Sequence, residues 1–69
     1  MLLAESIKNY AGRYKTDKAL FSYLETEHEV VMFDPGVHVE NITAEWLEKF
    51  RNHSGMKHVR NVRKVVKNL

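Results

Sequence analysis

The sequence predicts an all-α domain, a compact bundle of four helices around one small core. Apolar residues recur at spacings of three and four through most of the chain, which is the period of an amphipathic helix. Turn-forming residues at Gly12, at 34–36 and at Ser54-Gly55 divide the chain into segments of helical length. The chain has 69 residues and no cysteine, so one core must hold it together, and residues 1–69 are expected to form a single domain.

The first two helices are predicted from the apolar spacing of the N-terminal half. A helix is expected over residues 3 to about 13, and Thr16 or Asp17 is a suitable N-cap for the second. Glutamates at 25, 27 and 29 would oppose the dipole at the end of that helix, which is therefore expected to stop near His28. Its buried side is expected to hold Leu20, Phe21, Tyr23, Leu24 and Val31.

Two structures fit the segment from residue 30 to residue 42. The turn signal at 34–36 lies between two short runs of β-branched and aromatic residues, which locally predicts a hairpin. The surrounding helices favour a connecting loop instead. Such a loop would lay four apolar side chains over the core: Val31, Phe33, Val37 and Val39.

The third helix has a clear start and end. Thr43 is the expected N-cap, and Ile42 and Leu47 flank the first turn in the arrangement of a hydrophobic staple. Trp46, Leu47, Phe50 and His53 would share one side of this helix. Glu45 and Lys49 can pair across one turn, and Gly55 ends the helix.

The fourth helix, from about Met56 to Leu69, is amphipathic. At about 100° per residue one side is apolar: Met56, Val59, Val62, Val65, Val66 and Leu69. The opposite side is basic: Lys57, Arg60, Arg63, Lys64 and Lys67. The apolar side is expected to dock on the other helices, which leaves the basic side for solvent or for phosphate.

The charge of the chain is strongly polarised, although its formal net charge is only +2. Residues 49–69 hold seven Lys or Arg and no acid, whereas residues 17–48 hold eight acids and one lysine. The basic helix contains no acid to form i, i+4 pairs, so its cations repel one another. A polyanionic partner explains this better than a solvated face does, and the sequence therefore predicts binding to double-stranded DNA.

Other classes of partner fit the basic helix less well. Membrane-surface binding would require large apolar residues beside the cations, and this helix offers valines, which suit a core. RNA binding would be expected to show an exposed aromatic cluster. An alternative from another class is a protein-interaction module whose basic helix docks on an acidic surface, of which a neighbouring protomer is one example.

No pattern for catalysis or for a cofactor is visible in the sequence. His53 and His58 are five residues apart and no cysteine joins them, so no metal site is expected. The serines and threonines have no neighbouring base at a known spacing, and no Gly-rich phosphate loop exists. A chain this short seldom builds an enzyme cleft, so neither an enzyme nor a small-molecule substrate is expected. The longest apolar run, residues 30–33, is too short to span a membrane.

Three segments resemble the core-binding, SAM-like N-terminal domain of tyrosine recombinases, the phage-integrase family. They are KTDKALFSYL (15–24), VENITAEWLEKF (39–50) and HVRNVRKVVK (58–67), similar to the family's DNA-facing, third and closing helices. The resemblance implies a SAM-like four-helix bundle that clamps the crossover-site duplex during site-specific recombination or DNA integration by a mobile genetic element. A separate catalytic domain, absent from this chain, would carry the nucleophilic tyrosine and the chemistry.

The resemblance also implies a DNA-facing surface on the second and fourth helices. The residues that it places there are Lys15, Lys18, Lys57, Arg60, Arg63, Lys64 and Lys67. Lys15 and Lys18 lie near a helix N-terminus, which is itself favourable for phosphate. The implied partners are duplex DNA, the catalytic domain of a full-length chain and other recombinase protomers on the DNA. The implied location is the bacterial cytoplasm, in association with DNA.

Overall fold

Four α-helices and one short 3-10 helix form the described part of the chain, which is residues 1–13 and 16–69 in the computed structural model. The elements are α1 (Leu3–Ala11), α2 (Asp17–Phe33), the 3-10 helix Val39–Asn41, α3 (Ala44–Ser54) and α4 (Met56–Lys67). The predicted all-α class with four helices is confirmed, and the finer SAM-like assignment stays a prediction. None of the helices in the described ranges is long and apolar enough to cross a bilayer.

The core lies between all four helices. α1 packs mainly on α2, where the rings of Tyr10 and Tyr23 meet edge to face with centroids 5.1 Å apart. α1 ends at Ala11, two residues before the predicted limit. The fully buried hydrophobic side chains are Leu3, Ile7, Ala11, Val30, Phe50 and Val62, with Val65 almost as inaccessible. The core therefore draws on every helix, as a chain of this size requires.

α2 is longer than the sequence predicts. The expected end near His28 is wrong, since the helix continues through Phe33. The last turn is held by aromatic packing: the Phe33 ring lies 5.5 Å from Trp46 and 5.6 Å from Phe50, centroid to centroid. Trp46 Nε1 also donates a 3.0 Å hydrogen bond to Asp34, directly after the helix. Tertiary packing thus outweighs the unfavourable placement of the glutamates against the helix dipole.

The buried side of α2 is also rotated from the expected one. Tyr23 is buried and Leu20 partly so, as predicted, but Phe21, Leu24 and Val31 are exposed. Besides Tyr23, the inward positions belong to Thr26 and Val30, which were not predicted. Thr26 is polar, so the apolar pattern of the sequence does not identify it as buried. The prediction therefore followed the apolar residues on the outer side of α2.

The connection between α2 and α3 is not a hairpin. Within the described residues there are no strands, and the extended pairing is an isolated bridge between Leu2 and His38. Leu3 N donates to Val37 O and Val39 N donates to Met1 O, both at 2.9 Å. The loop interpretation is correct for Val37, which is buried in the core, while Val39 is half-buried in the 3-10 helix. Phe33 packs on the core from the end of α2, and the expected burial of Val31 is wrong.

α3 forms as predicted. The Thr43 hydroxyl accepts a 3.1 Å hydrogen bond from Trp46 N, and Lys49 Nζ lies 3.2 Å from a Glu45 carboxylate oxygen. Phe50 is buried, and Trp46 and Leu47 pack against the core, whereas His53 is exposed. The helix ends at Gly55, whose φ of 95° is a conformation that L side chains rarely adopt.

Thr43→Ala is expected to lower the free energy of unfolding by about 1 kcal/mol, because it removes the acceptor that caps α3. Urea unfolding followed by circular dichroism measures the loss. Thr16→Ala is the matched control, since Thr16 precedes α2 but its side chain makes no capping hydrogen bond. Equal losses in the two variants would contradict a capping role for Thr43.

Candidate nucleic-acid interface

α4 carries the candidate interface because its two sides differ in chemistry. Val59, Val62 and Val65 are buried and hold the helix on the bundle. Five cations on the other side are all exposed, as predicted: Lys57, Arg60, Arg63, Lys64 and Lys67. Met56 and Leu69, which were expected on the apolar side, are exposed at 45% and 65%. Met56 is the first residue of the helix, and Leu69 lies beyond its end at Lys67, so the predicted extension to Leu69 is wrong. The five cations are called the α4 basic face below.

Lys18 joins the α4 basic face at one end. α2 and α4 run antiparallel, because Lys57 contacts Glu25 near the start of α4 and Asn61 contacts Ser22 one turn later. Continuing along both helices, Lys18 and Lys64 line the same shallow depression beside Thr16 at the start of α2. The structure therefore places the predicted cation of α2 next to those of α4. Lys15, the other predicted cation of this region, lies outside the described residues.

Arg51 extends the basic surface on the opposite edge. This exposed side chain of α3 and Arg63 of α4 line one shallow depression, together with Glu48. Arg51 was counted in the basic C-terminal third of the sequence but was not predicted as a site residue. The tight turn at Gly55 brings the end of α3 beside the start of α4. The position of Arg51 close to this turn is the feature of the sequence that could have identified it.

Lys57 is already partly neutralised by a neighbouring helix. Its Nζ lies 3.4 Å from a Glu25 carboxylate oxygen of α2, with both side chains largely exposed. An exposed pair of this kind contributes little to stability. Across the described ranges, the other four cations of the α4 basic face have no carboxylate within 4.0 Å. The absence of acids within α4 thus leaves Arg60, Arg63, Lys64 and Lys67 free to bind an anion.

A polar cluster between α2 and α4 fixes the orientation of the basic face. Asn61 Nδ2 donates to Thr26 Oγ1 at 2.9 Å and to Ser22 Oγ at 3.1 Å. Thr26 Oγ1 donates to the Ser22 carbonyl at 3.1 Å and lies 2.7 Å from His58 Nδ1. Asn61 and His58 of α4 are therefore hydrogen-bonded to α2, and these bonds fix the rotation of α4 about its own axis.

The cluster links the proton of the Thr26 hydroxyl to the tautomer of His58. A hydroxyl has a single proton, so a bond from Thr26 to the Ser22 carbonyl and a bond between Thr26 and His58 Nδ1 form together when that ring nitrogen is the protonated one. His58 is half-buried, and its contact with Thr26 was not predicted from the sequence.

Thr26→Val is expected to lower the free energy of unfolding by about 1–3 kcal/mol, because it leaves His58 Nδ1 and one N–H of Asn61 without their buried hydroxyl partner. The substitution keeps the shape of the side chain, so no cavity forms. Urea unfolding measures the loss, and the ¹⁵N shifts of the His58 ring report its tautomer. Undiminished stability together with an unchanged tautomer would contradict the assigned hydrogen bonds.

The histidines of the described residues are not gathered into a metal site. Among the residues described, no group of three or more His, Asp or Glu side chains is placed to hold a metal ion. His28, His38 and His53 are exposed and separate, and His53 lies against the Phe33 ring at 5.1 Å between centroids. The cationic surface is thus the feature of the molecule that most clearly suggests a ligand.

Comparisons with known proteins identify no relative of this chain. No family model, no curated protein sequence and no solved structure matches it.

Proposed function

We propose that the chain is a DNA-binding module that docks the α4 basic face on a duplex. The observation that carries the proposal is the group of four exposed cations on α4 that have no carboxylate partner among the described residues, extended by Lys18. Regular phosphates of a duplex offer the repeated negative charge that such a row neutralises. Binding releases counterions, which supplies most of the affinity.

The two kinds of cation have different proposed roles. Lys57, Lys64 and Lys67 bind phosphates as point charges, and Lys57 exchanges Glu25 for a phosphate to do so. Arg60 and Arg63 bind phosphates or reach guanine edges when α4 enters the major groove, since a guanidinium can bind O6 and N7 together. The start of α2 beside Lys18 adds backbone N–H groups, because Thr16 does not cap it with its side chain.

The finer proposal is a core-binding domain of a tyrosine recombinase or integrase. The resemblance of the three segments and the four-helix architecture support it. In this proposal the domain clamps the crossover-site duplex and supplies grip and register, with no catalytic step, cofactor or small-molecule substrate of its own. A catalytic domain elsewhere in a full-length chain and neighbouring recombinase protomers are its protein partners, in the bacterial cytoplasm.

Competition binding tests DNA against the alternative, an acidic protein surface. A fluorescently labelled duplex is titrated with the protein, and the complex is then challenged with unlabelled duplex or with polyglutamate at equal concentrations of charge. If the basic face binds DNA, unlabelled duplex should displace the labelled duplex at a far lower concentration of charge than polyglutamate does. If polyglutamate competes equally well, the basic face recognises charge alone and an acidic protein becomes the better partner.

A further inference from the structure

The outer side of α2 exposes a row of apolar side chains that the proposed DNA contact does not use. Phe21 and Met32 are each 65% exposed, Val31 is 44% exposed and Leu24 is 38% exposed. At about 100° per residue they fall on one side of the helix, with the exposed His28 among them. These five residues are called the α2 stripe. It extends about 17 Å along the helix, at 1.5 Å per residue.

The stripe has no role in the fold described above. The opposite side of α2 supplies the core through Tyr23, Thr26 and Val30, so the helix is anchored without the stripe. Single exposed apolar residues are ordinary, but a continuous row of this kind is typical of an interaction surface. Phe21 and Leu24 also line two adjoining shallow depressions, one toward Leu20 and one toward His58. A side chain of a partner could enter either depression.

The charges around the stripe indicate the chemistry of the partner. α2 contains Asp17, three glutamates at 25, 27 and 29, and a single lysine, Lys18. Its last turn has no basic residue, so the negative end of the helix dipole adds to the acidic character. Glu25 and Glu29 line the depression toward His58 beside Phe21 and Leu24. A complementary surface must therefore be apolar in its centre and basic at its edges.

Three other occupants fit this surface less well. An anionic membrane would be repelled by the same acids. A second copy that paired through its own α2 would bring two acidic rims together. The α4 basic face of a second copy matches the charge, but its valines are buried in its own core, so it offers no apolar row to cover the stripe.

We propose that the α2 stripe is the docking site for an amphipathic, basic helix of a partner protein. The partner helix lays apolar residues spaced by three and four along Phe21, Leu24, Val31 and Met32, while its Lys or Arg residues face Glu27 and Glu29. About three helical turns cover the length of the stripe. The site lies on α2 and uses none of the cations of the α4 basic face, so it does not depend on the proposed DNA function.

The test uses a designed peptide as the probe. It has about 18 residues, long enough for partial helicity, with leucines at spacings of three and four and lysines beside them. A second peptide replaces every lysine with glutamate. Titration calorimetry against the intact protein, without DNA, is expected to show saturable binding of the lysine peptide and at least tenfold weaker binding of the glutamate peptide.

Variants locate the binding. The double variant Phe21→Ala, Met32→Ala is expected to weaken binding of the lysine peptide about tenfold or more, since it removes the two most exposed apolar side chains of the stripe. Met56→Ala, Leu69→Ala is the matched control, because it removes two exposed apolar side chains elsewhere and should leave the affinity unchanged. Both variants should keep the circular dichroism spectrum and the duplex affinity of the original protein.

Four outcomes would overturn the proposal. They are the absence of saturable binding, equal binding of the two peptides, equal losses in the two double variants, and concentration-dependent dimerisation in sedimentation equilibrium that the Phe21→Ala, Met32→Ala variant abolishes. The last result would assign the stripe to a second copy of the chain. A failure of duplex binding alone would affect only the proposed DNA function.

Discussion

Replacing Phe50 with alanine is expected to lower the free energy of unfolding by about 3–5 kcal/mol. Phe50 is fully buried, and its ring stacks on Trp46 at 5.0 Å and packs on Phe33 at 5.6 Å, centroid to centroid. The substitution leaves a cavity where α2 and α3 meet. Domains of this length have about 3–10 kcal/mol of stability in total, so a large part of the population should unfold.

Urea unfolding followed by far-ultraviolet circular dichroism measures this effect without relying on Trp46 fluorescence, which the substitution would disturb directly. Phe21→Ala is the matched control, because Phe21 is 65% exposed and its loss should change the free energy of unfolding by no more than about 0.5 kcal/mol. Similar stabilities for the two variants would contradict the placement of Phe50 in the core.

The double variant Arg60→Ala, Lys64→Ala is expected to weaken duplex binding about 50- to 100-fold at 0.1 M salt. Each phosphate contact contributes about 0.9 to the slope of log affinity against log salt, so losing two contacts costs nearly two decades at that concentration. Both side chains are exposed and have no carboxylate within 4.0 Å in the described ranges. The melting temperature should therefore change little.

A control with the same change in net charge separates the basic face from general attraction. Lys8→Ala, Lys49→Ala removes two exposed cations from α1 and α3. Fluorescence anisotropy is expected to show a loss of no more than a few-fold for this variant. Equal losses for both double variants would show that net charge, and not the α4 basic face, determines binding.

Local signals in the sequence were sufficient to predict the ends of a helix where residues in or next to that helix determine them. The hydroxyl of Thr43 and the flexibility of Gly55 act within one turn, and the structure confirms both ends of α3. The pattern of α4 is equally local, since valines and cations alternate with helical period. The five cations of α4 were accordingly predicted on the exposed side, and they lie there.

Contacts between distant segments were not predictable in the same way. The end of α2 depends on Phe33 packing against Trp46 and Phe50, which are separated from it by the whole connecting segment. The rotation of α2 depends on Thr26, whose hydroxyl is satisfied only by residues of α4 and by the preceding turn. Helical periodicity identifies an apolar side, but α2 has apolar residues on two sides, and only packing selects between them.

The candidate interface likewise has one part that local sequence predicts and another part that depends on contacts between helices. The composition of the C-terminal third predicts a cationic surface, and its exposure follows from the amphipathic pattern of α4. The pairing of Lys57 with Glu25, the closeness of Lys18 to Lys64 and the addition of Arg51 each require knowledge of how the helices pack.

The salt dependence of duplex binding by the unmodified protein tests the central claim most directly. The four cations of α4 that have no carboxylate partner among the described residues, with or without Lys18, predict a linear fall of log affinity against log salt with a slope of about −3 to −5. Fluorescence anisotropy with a labelled duplex at several salt concentrations gives this slope. Absence of binding at about 50 mM salt, or an affinity that does not change with salt, would contradict the assignment of the α4 basic face to DNA.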